Sequence, residues 1–171
     1  MSGMKRKATT QPLPTRFAGP GESPGFLLWK ISNAWQRRQR EALHPFALTH
    51  AQFVLLATAT WHSDSETLTQ ARLAELSGVD PMTTSQIVRT LESAALLKRH
   101  EHPDDPRAKA ITTTPAGRQK AHAALLVVEK TDCAFFAADA PRLIAVLKSL
   151  SKRSADRGKP ESSTAGPRSR A

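Results

Sequence analysis

Cysteine is nearly absent from this 171-residue chain. The one present, Cys133, can form no intrachain disulfide, which suits a reducing compartment. Long apolar runs are missing too. None approaches the roughly 18 residues of a membrane span, so no membrane partner is expected. The sequence has no nucleophile elbow, P-loop, Rossmann glycine pattern or HExxH. An enzyme, catalytic residues and a cofactor are therefore not expected. The opening MSGMKRKATTQPLPTRFAG lacks acids and an apolar h-region, and reads as a basic tail rather than a secretory signal. Large apolar residues are scarce in residues 1–22 and 153–171. Both tails are expected to be disordered, because they cannot bury enough surface to offset their ordering entropy.

Positive charge is abundant. Lys and Arg total 25 against 15 acids, a formal charge of +10, which favours a polyanionic partner such as nucleic acid. Much of the excess sits in the tails. Residues 1–22 hold four basic residues and one acid, and residues 151–171 hold six and two. The charge alone therefore does not identify a nucleic-acid-binding domain, and a folded binding domain would have to lie within residues 23–152.

There the helix punctuation is clear. Ser23-Pro24 starts a helix to Leu43, with Leu27, Leu28, Ile31, Ala34 and Trp35 at helical spacing. Thr49 to Gln52 fits a capping box for a second helix, carried by Phe53, Leu56, Ala57 and Trp61. Thr69 caps a short third helix closed by Gly78. Asp80-Pro81 opens a fourth, running to about Ala95. Residues 96–102 and 108–113 read as two strands around a proline-bounded turn. Thr114-Pro115 opens a long helix to about Phe136, and a last helix spans 139–150.

A short helix, a glycine turn and a second helix form a helix-turn-helix, and the ribbon after it adds a two-stranded wing. The expected fold is mainly α with a small β component (α+β), a winged helix-turn-helix flanked by terminal helices. In such a unit the second helix reads the major groove. With Thr84, Ile87, Val88 and Leu91 inward, a turn of about 100° per residue points Met82, Gln86 and Arg89 outward, with Thr83 and Ser85 flanking. Gln pairs with adenine, Arg with guanine, and Thr or Met contacts a thymine methyl or a phosphate. The helix N-terminus itself attracts phosphate.

Taken together, LTHAQFVLLA (48–57), LTQARLAELSGVDPMTTSQIVRTLE (68–92) and LLKRHEHPDDPRAKAITTTPAG (96–117) resemble the MarR family of bacterial transcription regulators. The resemblance covers about residues 24–150. Its strongest signature is Asp105-Pro106-Arg107 at the wing turn followed by Thr114-Pro115-Ala116-Gly117. The chain departs from the family at Ala95, usually Gly, at Thr113, usually Leu, and in having Pro106 between the wing Asp and Arg.

The resemblance implies that Arg107 enters the minor groove, with Asp105 orienting its guanidinium. Lys98, Arg99 and Lys109 on the wing strands would reach phosphates. It also implies a homodimer joined through helices 24–47 and 115–150, with 48–114 as the DNA-binding lobe. The function implied is a cytoplasmic, nucleoid-associated repressor that reads a palindromic site in double-stranded DNA. A small aromatic effector would enter the crevice between the dimer helices and that lobe, where Trp29, Trp35, Phe53 and Trp61 are the candidate residues. Phe26, Leu27, Trp29, Ile31, Leu143, Ile144, Val146, Leu147 and Leu150 are more apolar surface than short terminal helices need for a monomer core.

The cluster His100 to Asp105 invites two other readings. A metal needs three or four convergent ligands. His100 and His102 would share a strand face, with only loop acids nearby, so they remain a bare candidate pair and no metal is expected. A hydrolytic carboxylate pair needs a pocket, and Asp104 and Asp105 lie at a turn tip. Cys133, late in the long helix, reads as a packing residue or as an oxidant sensor. Two further functions fit the same residues: a nonspecific architectural DNA binder dominated by its tails, and a helical protein–protein adaptor without DNA binding.

Overall fold

The computed structural model describes residues 14–63 and 65–157. Helix α1, Pro24–Leu43, starts where the Ser23 hydroxyl accepts the Phe26 N–H, with Pro24 in the first turn. A short 3-10 turn, His44–Phe46, ends on left-handed Ala47 and redirects the chain into α2, His50–His62. Both halves of the capping box at α2 form. The Gln52 N–H donates to Thr49 Oγ1 at 3.2 Å, and the Thr49 N–H donates to Gln52 Oε1 at 2.9 Å. Strand β1, Leu68–Thr69, leads into α3, Gln70–Ser77. Gly78 closes α3 at φ 69°, and α4, Pro81–Ser93, follows. Strands β2, Leu97–Glu101, and β3, Lys109–Thr113, form the wing. Helix α5, Pro115–Phe136, and helix α6, Ala140–Arg157, complete the order.

Helix α2 is the axis of the core. Its Phe53, Leu55, Leu56 and Ala59 are buried, together with Leu43 of α1, Leu73 of α3, Val88 and Leu91 of α4, and Ala124 and Val128 of α5. Burying these side chains contributes roughly 1.5–3 kcal/mol for each large one. Trp61 does not join them. It is 80% exposed, because it lies two positions past Ala59 and so about 200° around the helix.

The sheet has three antiparallel strands in the order β1-β3-β2, not two. Leu68 pairs with Ile111 on one side, and Arg99 pairs with Ile111 on the other. The extra strand is two residues long, too short to show any periodicity. Helix α4 ends at Ser93 rather than Ala95. The Leu96 N–H bonds to the Leu91 carbonyl and the Ala95 N–H to that of Glu92, both at 2.9 Å. This paired-bond helix ending needs a left-handed residue, which glycine usually supplies. Here Ala95 takes it, at φ 57°.

Helix α6 runs to Arg157, past the expected end at Leu150, so residues 153–157 are helical rather than tail. Residues 151–157 contain no glycine or proline, and Lys152 and Arg153 suit the negative end of a helix. At the other end, residues 20–22 of the expected N-terminal tail form a 3-10 turn. Residues 14–19 form no helix or strand, and residues 1–13 and 158–171 of the expected tails lie outside the described residues.

Candidate nucleic-acid interface

Helices α3 and α4 place a polar face outside the core. On α4, Met82, Gln86 and Arg89 are exposed, Thr83 and Ser85 are half-buried, and Thr84, Ile87, Val88 and Leu91 are buried. An exposed methionine, at 74%, is costly in water. It suits a surface that meets apolar groups such as thymine methyls. The inner side is pinned by polar bonds as well as packing, since Thr84 donates its hydroxyl to the Val79 carbonyl at 3.3 Å.

The start of α4 departs from the phosphate-attracting end drawn from sequence. Asp80 Oδ1 accepts the Thr83 N–H at 2.9 Å. Hydrogen bonds from Thr83, its side chain first and its backbone second, hold the Asp80 carboxyl below the usual range. A carboxylate thus already occupies the place where a phosphate would sit.

The wing sorts its cations. Arg99 donates from Nε to Glu92 at 2.8 Å and pairs with it again through Nη2. Lys109 pairs with Glu101 across the ribbon. Both must exchange a protein carboxylate for a phosphate before they could help to hold DNA. Lys98 and Arg107 are exposed, and among the described residues no hydrogen bond or ion pair engages either charged group. Arg89 makes only a 3.3 Å bond from Nε to the Ser85 carbonyl.

At the tip, Asp105 Oδ1 accepts the backbone N–H of Arg107 at 2.9 Å, and the Asp105 carbonyl accepts the Ala108 N–H at 3.0 Å. The acid therefore shapes the turn that carries Arg107 and does not hold the guanidinium, contrary to the expected role. The histidine pair also differs. Strand β2 ends at Glu101, so His102 has left the strand face shared with His100. His102 Nδ1 accepts the N–H groups of Asp104 and Asp105, both at 3.1 Å, while His100 Nδ1 lies 3.0 Å from the Glu101 carbonyl. Among the described residues no group of three or more metal-binding side chains occurs.

The base of the wing is tied to α5 by residues whose purpose was not read from sequence beyond their pattern. Thr114 Oγ1 donates to the Ala95 carbonyl at 2.8 Å and accepts the Gly117 N–H at 2.9 Å. The Thr114 N–H bonds to the Leu96 carbonyl at 3.1 Å. Gly117 is buried, and a Cβ there would lie 2.0 Å from that same carbonyl oxygen. Only glycine allows α5 to start so close to the end of α4.

The four aromatic residues proposed to line an effector crevice do not converge. Trp29 and Trp61 are exposed at opposite ends of separate helices, Phe53 is core, and Trp35 borders a cavity between α1, α5 and α6. Trp35 instead belongs to a polar cluster that sequence reading missed. Its indole N–H and the amide of fully buried Gln39 both donate to Asp132 Oδ1 at 2.7 Å. His50 packs edge-on against the Trp35 ring at 4.9 Å. Burial lowers the His50 pKa, and the Asp132 charge partly opposes that. A signal existed: Gln39 follows Trp35 by four residues and Asp132 follows Val128 by four, so each puts a polar group on an apolar stripe. Cys133 beside them is exposed.

Comparison with known proteins agrees with this arrangement. The MarR family model matches residues 48–109, from α2 to the start of β3. The HTH-type transcriptional regulator YdcH of Bacillus subtilis is 46% identical over 125 residues, which is 72% of this chain and 85% of that protein. An HTH-type transcriptional repressor of Mycobacterium bovis is 32% identical over 108 residues, 63% of this chain and 76% of that one. Among solved structures, BpsR of Bordetella bronchiseptica, whose DNA binding is regulated by 6-hydroxynicotinic acid, superposes with a TM-score of 0.70 at 25% identity, covering 82% of this chain and 97% of that one.

Proposed function

The chain belongs to the MarR family of transcriptional regulators, and from that premise we propose that it is a homodimeric, ligand-responsive repressor of a palindromic operator. The observation that carries the DNA reading is the pairing of an exposed α4 face, Met82, Gln86 and Arg89, with the unpaired Arg107 and Lys98 of the adjoining wing. Side chains on α4 specify bases, Arg107 probes the minor groove, and Lys98 meets phosphate. Thr83 and Ser85 flank the reading face. Arg99 and Lys109 join only after leaving Glu92 and Glu101.

The dimer reading rests on unpartnered apolar surface. Phe26, Leu27, Leu28, Trp29 and Ile31 on α1 are exposed, as are Ile144, Val146, Leu147 and Leu150 on α6. So much contiguous exposed hydrocarbon marks an association surface, and a second copy presenting the same surface would cover it symmetrically. Repression is supported by the Mycobacterium bovis relative and ligand control by BpsR. No helix among the described residues is long and apolar enough to cross a membrane, in keeping with action on DNA in the cytoplasm.

A gel shift with the upstream regions of the protein's own and neighbouring genes, followed by footprinting, tests the reading. A symmetric protected site lost in Arg107→Ala and Gln86→Ala supports it. Uniform coverage would instead indicate an architectural DNA binder, and no retardation at moderate salt would indicate a protein adaptor.

A further inference from the structure

Asp132 stands at the edge of an apolar cavity, and among the described residues no Lys or Arg pairs with it. The cavity, about 530 Å³, lies between α1, α5 and α6. Its walls are aliphatic at Leu28, Leu143 and Leu147 and aromatic at Trp35 and Phe136, whose rings lie 6.3 Å apart. Asp132 is the one charged side chain among its described lining residues. The two groups that reach the carboxylate, from Trp35 and Gln39, are neutral, and both end on Oδ1. No ion pair reaches Asp132 among the described residues, and Oδ2 accepts no hydrogen bond there. His50 packs edge-on against the Trp35 ring and feels the Asp132 charge, but burial outweighs that charge and favours its neutral form.

A carboxylate beside hydrocarbon is costly unless something compensates its charge. The two neutral donors fix its orientation and leave the charge in place. Aromatic faces attract cations as well. An acid, the class of ligand that regulates BpsR, would meet like charge here.

We propose that this cavity binds an apolar organic monocation of the arylalkylamine class, its ammonium on Asp132 Oδ2 and its hydrocarbon against Leu143, Leu147 and Phe136. The mouth of the cavity lies in the α1 and α6 surface assigned above to the second copy, so the dimer would enclose the guest. The proposal rests on the regulatory reading only for its effect on DNA, and the binding itself stands apart.

The test uses the full-length protein and three naphthalenes of one shape: 1-naphthylmethylamine, 1-naphthylmethanol and 1-naphthaleneacetic acid. Calorimetric titration is expected to rank amine above alcohol above acid, the first step by about tenfold, as a charge-assisted hydrogen bond implies. Asp132→Asn keeps an acceptor for Trp35 and Gln39 and removes the charge. It is expected to bring the amine down to the level of the alcohol and leave the alcohol unchanged. Should that variant fail to fold, Cys133 provides a second readout. It is the only thiol and lines the same cavity, so in the wild type the amine is expected to slow its reaction with a maleimide more than the alcohol does. Equal binding of all three compounds overturns the proposal, as does an unchanged amine preference in Asp132→Asn. Absence of binding, with Cys133 inert in the dimer, also overturns it, because the second copy then fills the cavity. Operator release is scored separately. Charge-selective binding without release refutes ligand control and leaves the site standing, whereas release by all three alike refutes the site and leaves ligand control.

Discussion

Gly117→Ala is the sharpest perturbation the fold allows. A Cβ at this position would lie 2.0 Å from the Leu96 carbonyl oxygen and 3.0 Å from the Thr113 methyl. A carbon–oxygen contact needs roughly 3.3 Å, so the two backbones must separate by about 1.3 Å. Neither is the end of a flexible side chain. The Leu96 carbonyl accepts the Thr114 N–H at 3.1 Å, and that separation breaks or strains this bond, while the Thr114 hydroxyl gives its one proton to the Ala95 carbonyl at 2.8 Å. Losing it costs about 1 kcal/mol, and overpacking adds about 1–3 kcal/mol. Alanine's better helix propensity returns about 1 kcal/mol. The net expectation is a destabilisation of about 1–3 kcal/mol, a fall in Tm of roughly 2–12 °C for a chain of this size. Urea and thermal unfolding at fixed protein concentration measure it. A loss below about 0.5 kcal/mol, the scatter of ordinary surface substitutions, would refute the reasoning, because the close approach would then be dispensable.

Four further expectations follow from single features. Ala95→Gly relieves a left-handed alanine, worth about 1–2 kcal/mol, less roughly 0.4–1 kcal/mol of added unfolded-chain entropy; a modest rise in Tm is expected, and a fall would show that the Ala95 methyl contributes packing. Arg107→Ala is expected to weaken operator binding by about 1–3 kcal/mol, whereas Lys98→Ala lowers the slope of log affinity against log salt by about one; equal effects of both variants on unrelated DNA would remove Arg107 from sequence reading. Leu147→Asp, placed in the exposed apolar face of α6, is expected to yield a folded monomer in sedimentation velocity, and a persistent dimer would relocate the interface. Glu66, Asp80 and Glu92 all titrate below their ordinary values, held down first by side-chain hydrogen bonds from Arg72, Thr83 and Arg99 respectively. The unfolded chain therefore binds protons first. The stability these acids contribute is full above the ordinary carboxylate range and lost as pH falls through their folded-state values, so a Tm that stays flat on acidification there would contradict those bonds.

Much of the fold was legible because its boundaries are chemical. Ser23-Pro24, Thr49 with Gln52, Thr69, Asp80-Pro81 and Thr114-Pro115 each pair a side-chain acceptor with the start of a helix, and each helix begins there. The α4 face was legible for a similar reason, since one helical period separates inside from outside. What could not be read was set by tertiary position. Strand β1 exists only because β3 offers it a free edge. Asp105 shapes the turn rather than holding the guanidinium because the Arg107 N–H is the nearer donor. The Glu92–Arg99 and Glu101–Lys109 pairs join neighbouring elements, and nothing local in the sequence reveals them. Asp132 and Gln39 are nearly a hundred residues apart and meet only because α1 and α5 pack together.

Helix α5 joins the two halves of this chemistry. Its first turn holds the wing through Thr114 and Gly117, and its last two turns carry Asp132, Cys133 and Phe136. A helix of 22 residues is about 33 Å long and nearly rigid. A tilt of roughly 3° about its far end would move Thr114 by about 1.7 Å, more than a hydrogen bond tolerates. The bonds from Thr114 to Ala95 and Leu96 sit at the junction of α4 and β2, so the recognition helix and wing must follow α5 or separate from it. With Gly117 packed directly on the Leu96 carbonyl there is no slack to absorb the motion. An event that repositions α5 at the α1 and α6 end, whether a guest in the cavity or a change in subunit packing, is therefore felt by Arg107 and Gln86 through one continuous rigid element. Weakening the Thr114 and Gly117 contacts should uncouple ligand binding from DNA release before it abolishes either one.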